Sequence, residues 1–119
     1  MPIERLDLTT APGPVLSHCV IHDDMIYIGG LSAAGAGPDI AAQTHAVLDL
    51  VDRYLERCGS DRSMVLAVQV WLPEMARFAA MNEVWNTWVD RRAPPMRACV
   101  QAELAEPGAL VEIMVTATR

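Results

Sequence analysis

The chain has 119 residues, of which 52% are hydrophobic, and its formal net charge is −6 at pH 7. A chain of this length and apolar content can bury one core, so we expect a single domain over residues 1–119. Every fixed positive side chain is arginine and none is lysine, which excludes lysine Schiff bases and a covalently held pyridoxal cofactor. The net negative charge argues against nucleic acid as the principal partner.

We expect neither a membrane span nor a signal peptide. The apolar runs are broken well before the roughly 18 residues that indicate a transmembrane helix, and residues 1–4 lack the basic and then apolar pattern of a leader. A cytoplasmic protein is therefore predicted. The three cysteines match neither zinc nor disulfide spacing, and the three histidines lack acidic partners at metal-ligand spacing, so we expect reduced thiols and no metal site.

Hydrophobic periodicity divides the chain into eight elements. In chain order, the pattern predicts strands over residues 3–8, 16–22 and 25–30, a helix over 40–58, a strand over 64–72, a helix over 75–89, and strands over 97–104 and 111–117. Asp39 can cap the first helix and Gly59 can end it. The order βββαβαββ predicts an α+β fold in which two helices cover one face of a six-stranded mixed sheet.

The strand over residues 97–104 alternates between two kinds of side chain. Because Arg97 and Cys99 alternate with Ala98 and Val100, we expect Arg97 to face away from the apolar core. The sheet face without helices would then carry a mixed polar and apolar set: Gln69, Trp71, Arg97, Cys99, Gln101, Glu112, Met114 and Thr116. Such a set is too apolar for open solvent, so we expect partner subunits to cover that face.

Arg97 is the first candidate for a functional residue, because a guanidinium at the start of a strand offers a planar fork that matches a carboxylate. A small acid is therefore the expected ligand. The structural alternative is an ion pair with Glu103 or Glu112. Glu112, on the strand that we expect to pair with the strand of Arg97, could hold either that guanidinium or a water molecule.

Two further polar residues lie near apolar positions. Cys99 follows Arg97 on the same face and could be a nucleophile, but no histidine close in sequence would activate it, so a backbone or packing role is preferred. Asn82 lies on the apolar stripe of the second helix between Phe78 and Trp85, where an unpaired amide is costly. We expect Asn82 to hydrogen-bond and to tie down a loop of the site or an interface.

Four segments carry a resemblance over nearly the whole chain: Asp39-Ile40-Ala41-Ala42-Gln43-Thr44, Phe78-Ala79-Ala80-Met81-Asn82-Glu83-Val84-Trp85, Pro95-Met96-Arg97-Ala98-Cys99-Val100 and Leu110-Val111-Glu112-Ile113. In this order and spacing they resemble the RidA (YjgF/YER057c/UK114) family. The resemblance implies a chorismate-mutase-like fold and a homotrimer with ligand clefts between subunits. It also implies hydrolysis of reactive enamines and imines, such as 2-aminoacrylate, to 2-keto acids and ammonia without a cofactor.

The same resemblance implies roles for four residues. Arg97 would bind the substrate carboxylate, and Glu112 would position or activate the attacking water. Cys99 would line the site through its main chain, and Asn82 would support the pocket. Such a mechanism needs only orientation, a water molecule and proton transfers, because a protonated imine carbon is already electrophilic.

The chain also departs from the family pattern at two hydroxyl positions. Leu16 stands where many family deaminases have a tyrosine, and Gly29-Gly30 stands where they have Ser-Gly. The loss of the two hydroxyls either shifts the substrate preference or leaves the backbone of Gly29 and Gly30, together with Glu112, to order the water. The departures keep a second hypothesis open, namely a protein that binds small carboxylates such as 2-keto acids without turnover.

Two other functions fit the sequence less well. An RNA-directed inhibitor of translation conflicts with the acidic balance and the absence of lysine. A chorismate mutase is disfavoured because fold alone does not give function and because the sequence shows no cluster of cations for a dicarboxylate.

Overall fold

The computed structural model describes residues 2–119 and contains the predicted elements in the predicted order. They are β1 (Ile3–Leu8), β2 (Ser17–His22), β3 (Met25–Leu31), α1 (Ile40–Arg57), β4 (Val65–Leu72), α2 (Phe78–Trp88), β5 (Met96–Gln101) and β6 (Glu112–Thr118). The second helix begins three residues later than predicted, because Met75–Arg77 form a 3₁₀ turn. No helix within residues 2–119 is long and apolar enough to cross a membrane.

The strands form one six-stranded mixed sheet in the order β1-β2-β3-β6-β4-β5. All neighbours are antiparallel except β4 and β5, which are parallel. The prediction that the strand of Glu112 pairs with the strand of Arg97 was wrong, since β6 lies between β3 and β4. The segment β4-α2-β5 is a β-α-β unit, which places β5 parallel to β4 at the edge of the sheet.

The two helices pack side by side on the sheet and close the core. Asp39 caps α1 as predicted, because its side chain accepts a hydrogen bond of 3.1 Å from the backbone N–H of Ala42. The inner stripe of α1 includes Val47, Val51 and Leu55, each at most 1% exposed. These side chains are covered by the apolar residues of the central strands, so the helices and the sheet share one hydrophobic core.

Gln43 on α1 is fully buried and joins two loops that are distant in sequence. Its Nε2 donates hydrogen bonds to the carbonyl oxygens of Gly37 and Gly108, at 2.7 and 3.0 Å, and its Oε1 accepts one of 2.8 Å from the N–H of Leu110. A buried amide is tolerated because these backbone groups are its partners. Gln43 therefore fixes the connection before α1 and the connection before β6.

The face prediction for the strand of Arg97 was wrong. Arg97 lies opposite Val68, and Cys99 lies opposite Val70. Since cross-strand partners share a face and both valines are buried in the core beneath the helices, Arg97 and Cys99 project toward the helices. The same register puts Gln101, opposite the buried Leu72, on this side. The other members of the predicted uncovered face lie there as expected: Gln69, Trp71, Glu112, Met114 and Thr116.

Candidate functional site

Arg97 lies on the edge strand β5 and packs against α2, where it contacts the buried side chains of Met81 and Trp85. Its guanidinium carbon is 5.2 Å from the ring centre of Trp85 and 5.8 Å from that of Phe78, and its Nη1 is 3.9 Å from the sulfur of Met81. These contacts orient the cation by its attraction to the aromatic faces without neutralising it. The predicted ion pair with Glu103 or Glu112 is absent from residues 2–119, whose salt bridges join other side chains.

Cys99 follows on the same face and is half-buried. Burial raises the pKa of the Cys99 thiol above its ordinary value, and the nearby Arg97 only partly opposes this shift. A thiol with a raised pKa is protonated at neutral pH and is a poor nucleophile. The environment of Cys99 thus favours the packing role over the nucleophilic one.

Asn82 lies on α2, one turn before Trp85. Its side-chain oxygen is buried and accepts no hydrogen bond from any residue in the described range. Within the described residues this oxygen makes no bond to a loop of the site, and the alternative that we gave for Asn82, a bond at an interface, stays a prediction. Because a buried carbonyl oxygen without a donor is costly, Asn82 offers an acceptor that a second subunit or a bound ligand could satisfy.

Glu112 lies on the opposite face of the sheet, beside a bulge in β3. The register between β3 and β6 shifts between Ile28 and Leu31, so that the pair Gly29-Gly30 occupies the irregular position. A Cβ at Gly30, whose φ is +27°, would lie 2.9 Å from Oε2 of Glu112. Glycine at position 30 thus allows the carboxylate to lie directly against the backbone.

Gly29 makes a similar close approach, because a Cβ there would lie 2.9 Å from Cγ of Met114. A hollow of about 270 Å³ opens next to Gly29 on this face, and its lining includes His18, Tyr27 and Thr116. The structure therefore brings together Gly29, Gly30 and Glu112, three of the residues predicted for the site. The sequence prediction missed the bulge itself, although two consecutive glycines inside a strand are a signal for one.

Arg97 and Glu112 do not meet in one chain. Arg97 is opposite Val68 on β4, whereas Glu112 is opposite Trp71. Successive residues of a strand point to opposite faces, so positions 68 and 71 of β4 face opposite sides of the sheet. The predicted site residues hence form two groups, which we call the arginine group (Asn82, Arg97 and Cys99) and the glutamate group (Gly29, Gly30 and Glu112).

No group of three or more His, Cys, Asp or Glu side chains in the described part of the chain is arranged to hold a metal ion. The chemistry available in the two groups is that of a cation held by aromatic rings and a carboxylate held against backbone. Together they suit an acidic ligand and a water molecule.

A six-stranded mixed sheet backed on one face by two helices is the chorismate-mutase-like architecture that we predicted. The model of the family described as Endoribonuclease L-PSP matches residues 9–119. The chain belongs to this family, which includes the RidA/YjgF and RutC proteins, and the resemblance drawn from the sequence is confirmed.

Individual relatives agree with this assignment. A RutC family protein of Haemophilus influenzae is 37% identical, with 99% of each chain covered. The crystal structure of a YjgF family member from Neisseria meningitidis superposes with a TM-score of 0.90 at 39% identity, covering 100% of this chain and 96% of the other. The 3-aminoacrylate deaminase RutC of Acinetobacter baylyi is 30% identical over 76% of each chain.

Proposed function

We propose that this protein hydrolyses reactive 2-imino acids and their enamine tautomers to 2-keto acids and ammonia, at sites assembled between subunits of a homotrimer. The observation that carries the proposal is Arg97, an oriented guanidinium without a carboxylate partner. A charged group that is held in place but not neutralised is suited to an anionic ligand. The similarity to a 3-aminoacrylate deaminase supports the choice of reaction.

Assembly between subunits follows from the separation of the two groups. The arginine group and the glutamate group lie on opposite faces of the sheet, so one substrate can contact both only if each comes from a different copy of the chain. The face that carries Glu112 is also apolar enough to require a cover: Tyr27, Val100 and Met114 are each 44–46% exposed, and Met96 is 74% exposed. A closed ring of copies covers such a face in every subunit.

In the proposed reaction, Arg97 of one subunit holds the α-carboxylate and leaves the imine carbon near Glu112 of the neighbouring subunit. Glu112 orients a water molecule and accepts one of its protons as the water oxygen bonds to that carbon. Transfer of a proton to nitrogen then allows the carbon–nitrogen bond to break, which gives the keto acid and ammonia. The mechanism requires no redox partner, because the substrate and water account for every atom of the products.

Main-chain groups take over part of the site where family hydroxyls are missing. Leu16 is 41% exposed and has no polar side-chain atom, and a side chain at Gly29 would require the side chain of Met114 to shift. We assign the ordering of the water to Glu112 and to the backbone of Gly29 and Gly30. Cys99 contributes its main chain and packing, and the unpaired oxygen of Asn82 accepts a hydrogen bond that completes the pocket.

The direct test is ammonia release from imino acids generated in situ by an amino-acid oxidase. We expect the protein to accelerate the appearance of keto acid and ammonia, and Arg97→Ala to lower the rate by about ten- to a hundredfold, as expected for a lost charge-assisted contact. Arg92→Ala is the matched control, since Arg92 is exposed and uses only its backbone N–H, which donates to Asp90. No acceleration by the parent protein would refute the deaminase proposal.

The missing hydroxyls favour one alternative, a carboxylate-binding protein that uses the same clefts without turnover. It predicts that 2-ketobutyrate binds to the parent protein and not to Arg97→Ala, while imine hydrolysis equals the uncatalysed rate. Binding and turnover measured on the same preparation therefore separate the two functions. Light scattering on that preparation tests the trimer, and a monomer at micromolar concentration would contradict both.

A further inference from the structure

A cleft of about 360 Å³ lies between the end of α2 and the start of β5, and two arginines line it. Arg97 enters from β5, and Arg91 enters from the connection between α2 and β5. The walls between them are apolar and include Trp85, Val89 and Pro95. A volume of this size suits a small molecule rather than a single ion.

Arg91 is held in place without being neutralised, like Arg97. Its Nε and Nη2 donate hydrogen bonds of 3.3 and 3.1 Å to the carbonyl oxygen of Asn86, in the last turn of α2, where a cation also interacts favourably with the helix dipole. The adjacent Asp90 accepts a hydrogen bond from the backbone N–H of Arg92 and lines a different cavity, together with Arg62. No carboxylate pairs with Arg91 among the salt bridges of residues 2–119.

Two unneutralised guanidiniums in one apolar cleft exceed what a monocarboxylate requires. The sequence had shown no cluster of cations for a dicarboxylate, because Arg91 and Arg97 are separated by a loop with two prolines and come together only in the fold. Like charges in a shared cleft repel each other, and a ligand with two anionic groups relieves that repulsion while bonding to both forks.

We propose that Arg91 is a specificity-determining residue that binds a second carboxylate, so that the preferred ligands are 2-keto and 2-imino dicarboxylic acids. Arg97 binds the α-carboxylate, and Arg91 binds the distal one. This inference rests on the proposed function for the role of Arg97 in the α-carboxylate contact. It adds a substrate class and a second binding residue.

The experiment measures binding of two unreactive probes, 2-ketoglutarate and 2-ketobutyrate, by titration calorimetry at low salt. We expect the parent to bind 2-ketoglutarate about tenfold more tightly, the low end of the range for a charge-assisted contact because Arg91 is exposed. Arg91→Gln should remove that preference and leave 2-ketobutyrate binding within about twofold, whereas Arg92→Gln should leave both affinities unchanged.

Equal affinity of the parent for the two probes would overturn the inference without reference to any variant. An equal loss for both probes in Arg91→Gln would also overturn it, because Arg91 would then act only through the end of α2. Failure of the proposed function would give another result. The parent would still bind 2-ketoglutarate more tightly than 2-ketobutyrate, but it would hydrolyse an imine generated from glutamate by an oxidase no faster than buffer does.

Discussion

Complementation between two impaired variants tests the proposed division of the site between subunits. Arg97→Ala removes the carboxylate contact, and Glu112→Gln removes the base while keeping the shape of the side chain. Because the two residues lie on opposite faces of one sheet, each variant still contributes one intact half. Trimers that contain both variants should therefore contain restored sites.

The size of the effect follows from the geometry of a ring. A trimer that contains both variants has one interface between identical chains and two interfaces between different chains. The two mixed interfaces place the variants in opposite order, so only one of them joins an intact Arg97 to an intact Glu112. Purified hybrids should therefore have about one third of the parental activity, since a cyclic trimer has three equivalent interfaces. Either variant alone should retain about a tenth or less of that activity.

The assay uses co-expression of the two variants with different affinity tags and purification on both tags in succession, followed by ammonia release from an oxidase-generated imine. Hybrids of parent chains with the same two tags set the full activity, and Arg97→Ala chains with both tags set the floor. Hybrids no more active than that floor would refute the shared site, because a site within one chain cannot be rebuilt by mixing.

Further variants test single residues. Cys99→Ala should keep most activity, because burial raises the pKa of the thiol; loss comparable to that of Arg97→Ala would restore the nucleophile hypothesis. Arg97→Lys should not recover full 2-ketobutyrate binding, because an ammonium lacks the planar fork; parental affinity would make Arg97 an interface residue. Glu112→Gln should reduce turnover more than keto-acid binding, and unchanged turnover would make Glu112 structural. Gly30→Ala should lower turnover, because the new Cβ would meet Oε2 of Glu112 at 2.9 Å; parental kinetics would contradict the placement of that carboxylate. Gln43→Leu should lower the free energy of unfolding by about 2 kcal/mol, since it removes the side-chain partner from three part-buried hydrogen bonds to the backbone; an unchanged midpoint in urea unfolding at fixed protein concentration would contradict this.

The elements could be predicted because each is encoded by local pattern. The apolar spacing of α1, its cap Asp39 and the terminating Gly59 all lie within a few residues of the helix that they define. Strand order was less accessible, because pairing is set by contacts between distant segments. The position of β6 between β3 and β4 depends on the crossover through α2, which alternation along a single strand does not reveal.

The side to which Arg97 points was predicted wrongly for a related reason. Alternation shows that Arg97 and Val100 face opposite ways, and polarity was used to decide which of them faces the core. The polarity rule fails at this sheet edge, because the guanidinium of Arg97 packs against the rings of Phe78 and Trp85 on α2. The opposite face carries the exposed apolar side chains of Met96 and Val100. Side-chain polarity alone therefore does not decide which way an edge strand faces.

The positions of the site residues also explain how the fold can tolerate them. The central strands and α1 carry the packed apolar core, whereas Arg97 lies on an edge strand and Gly30 lies in a bulge with a positive φ. An unneutralised cation and an irregular backbone both cost stability when they are buried among well-packed neighbours. At an edge and in a bulge that cost is small. The same positions leave both groups at the surface of the chain, which is what the proposed sharing of the site between subunits requires.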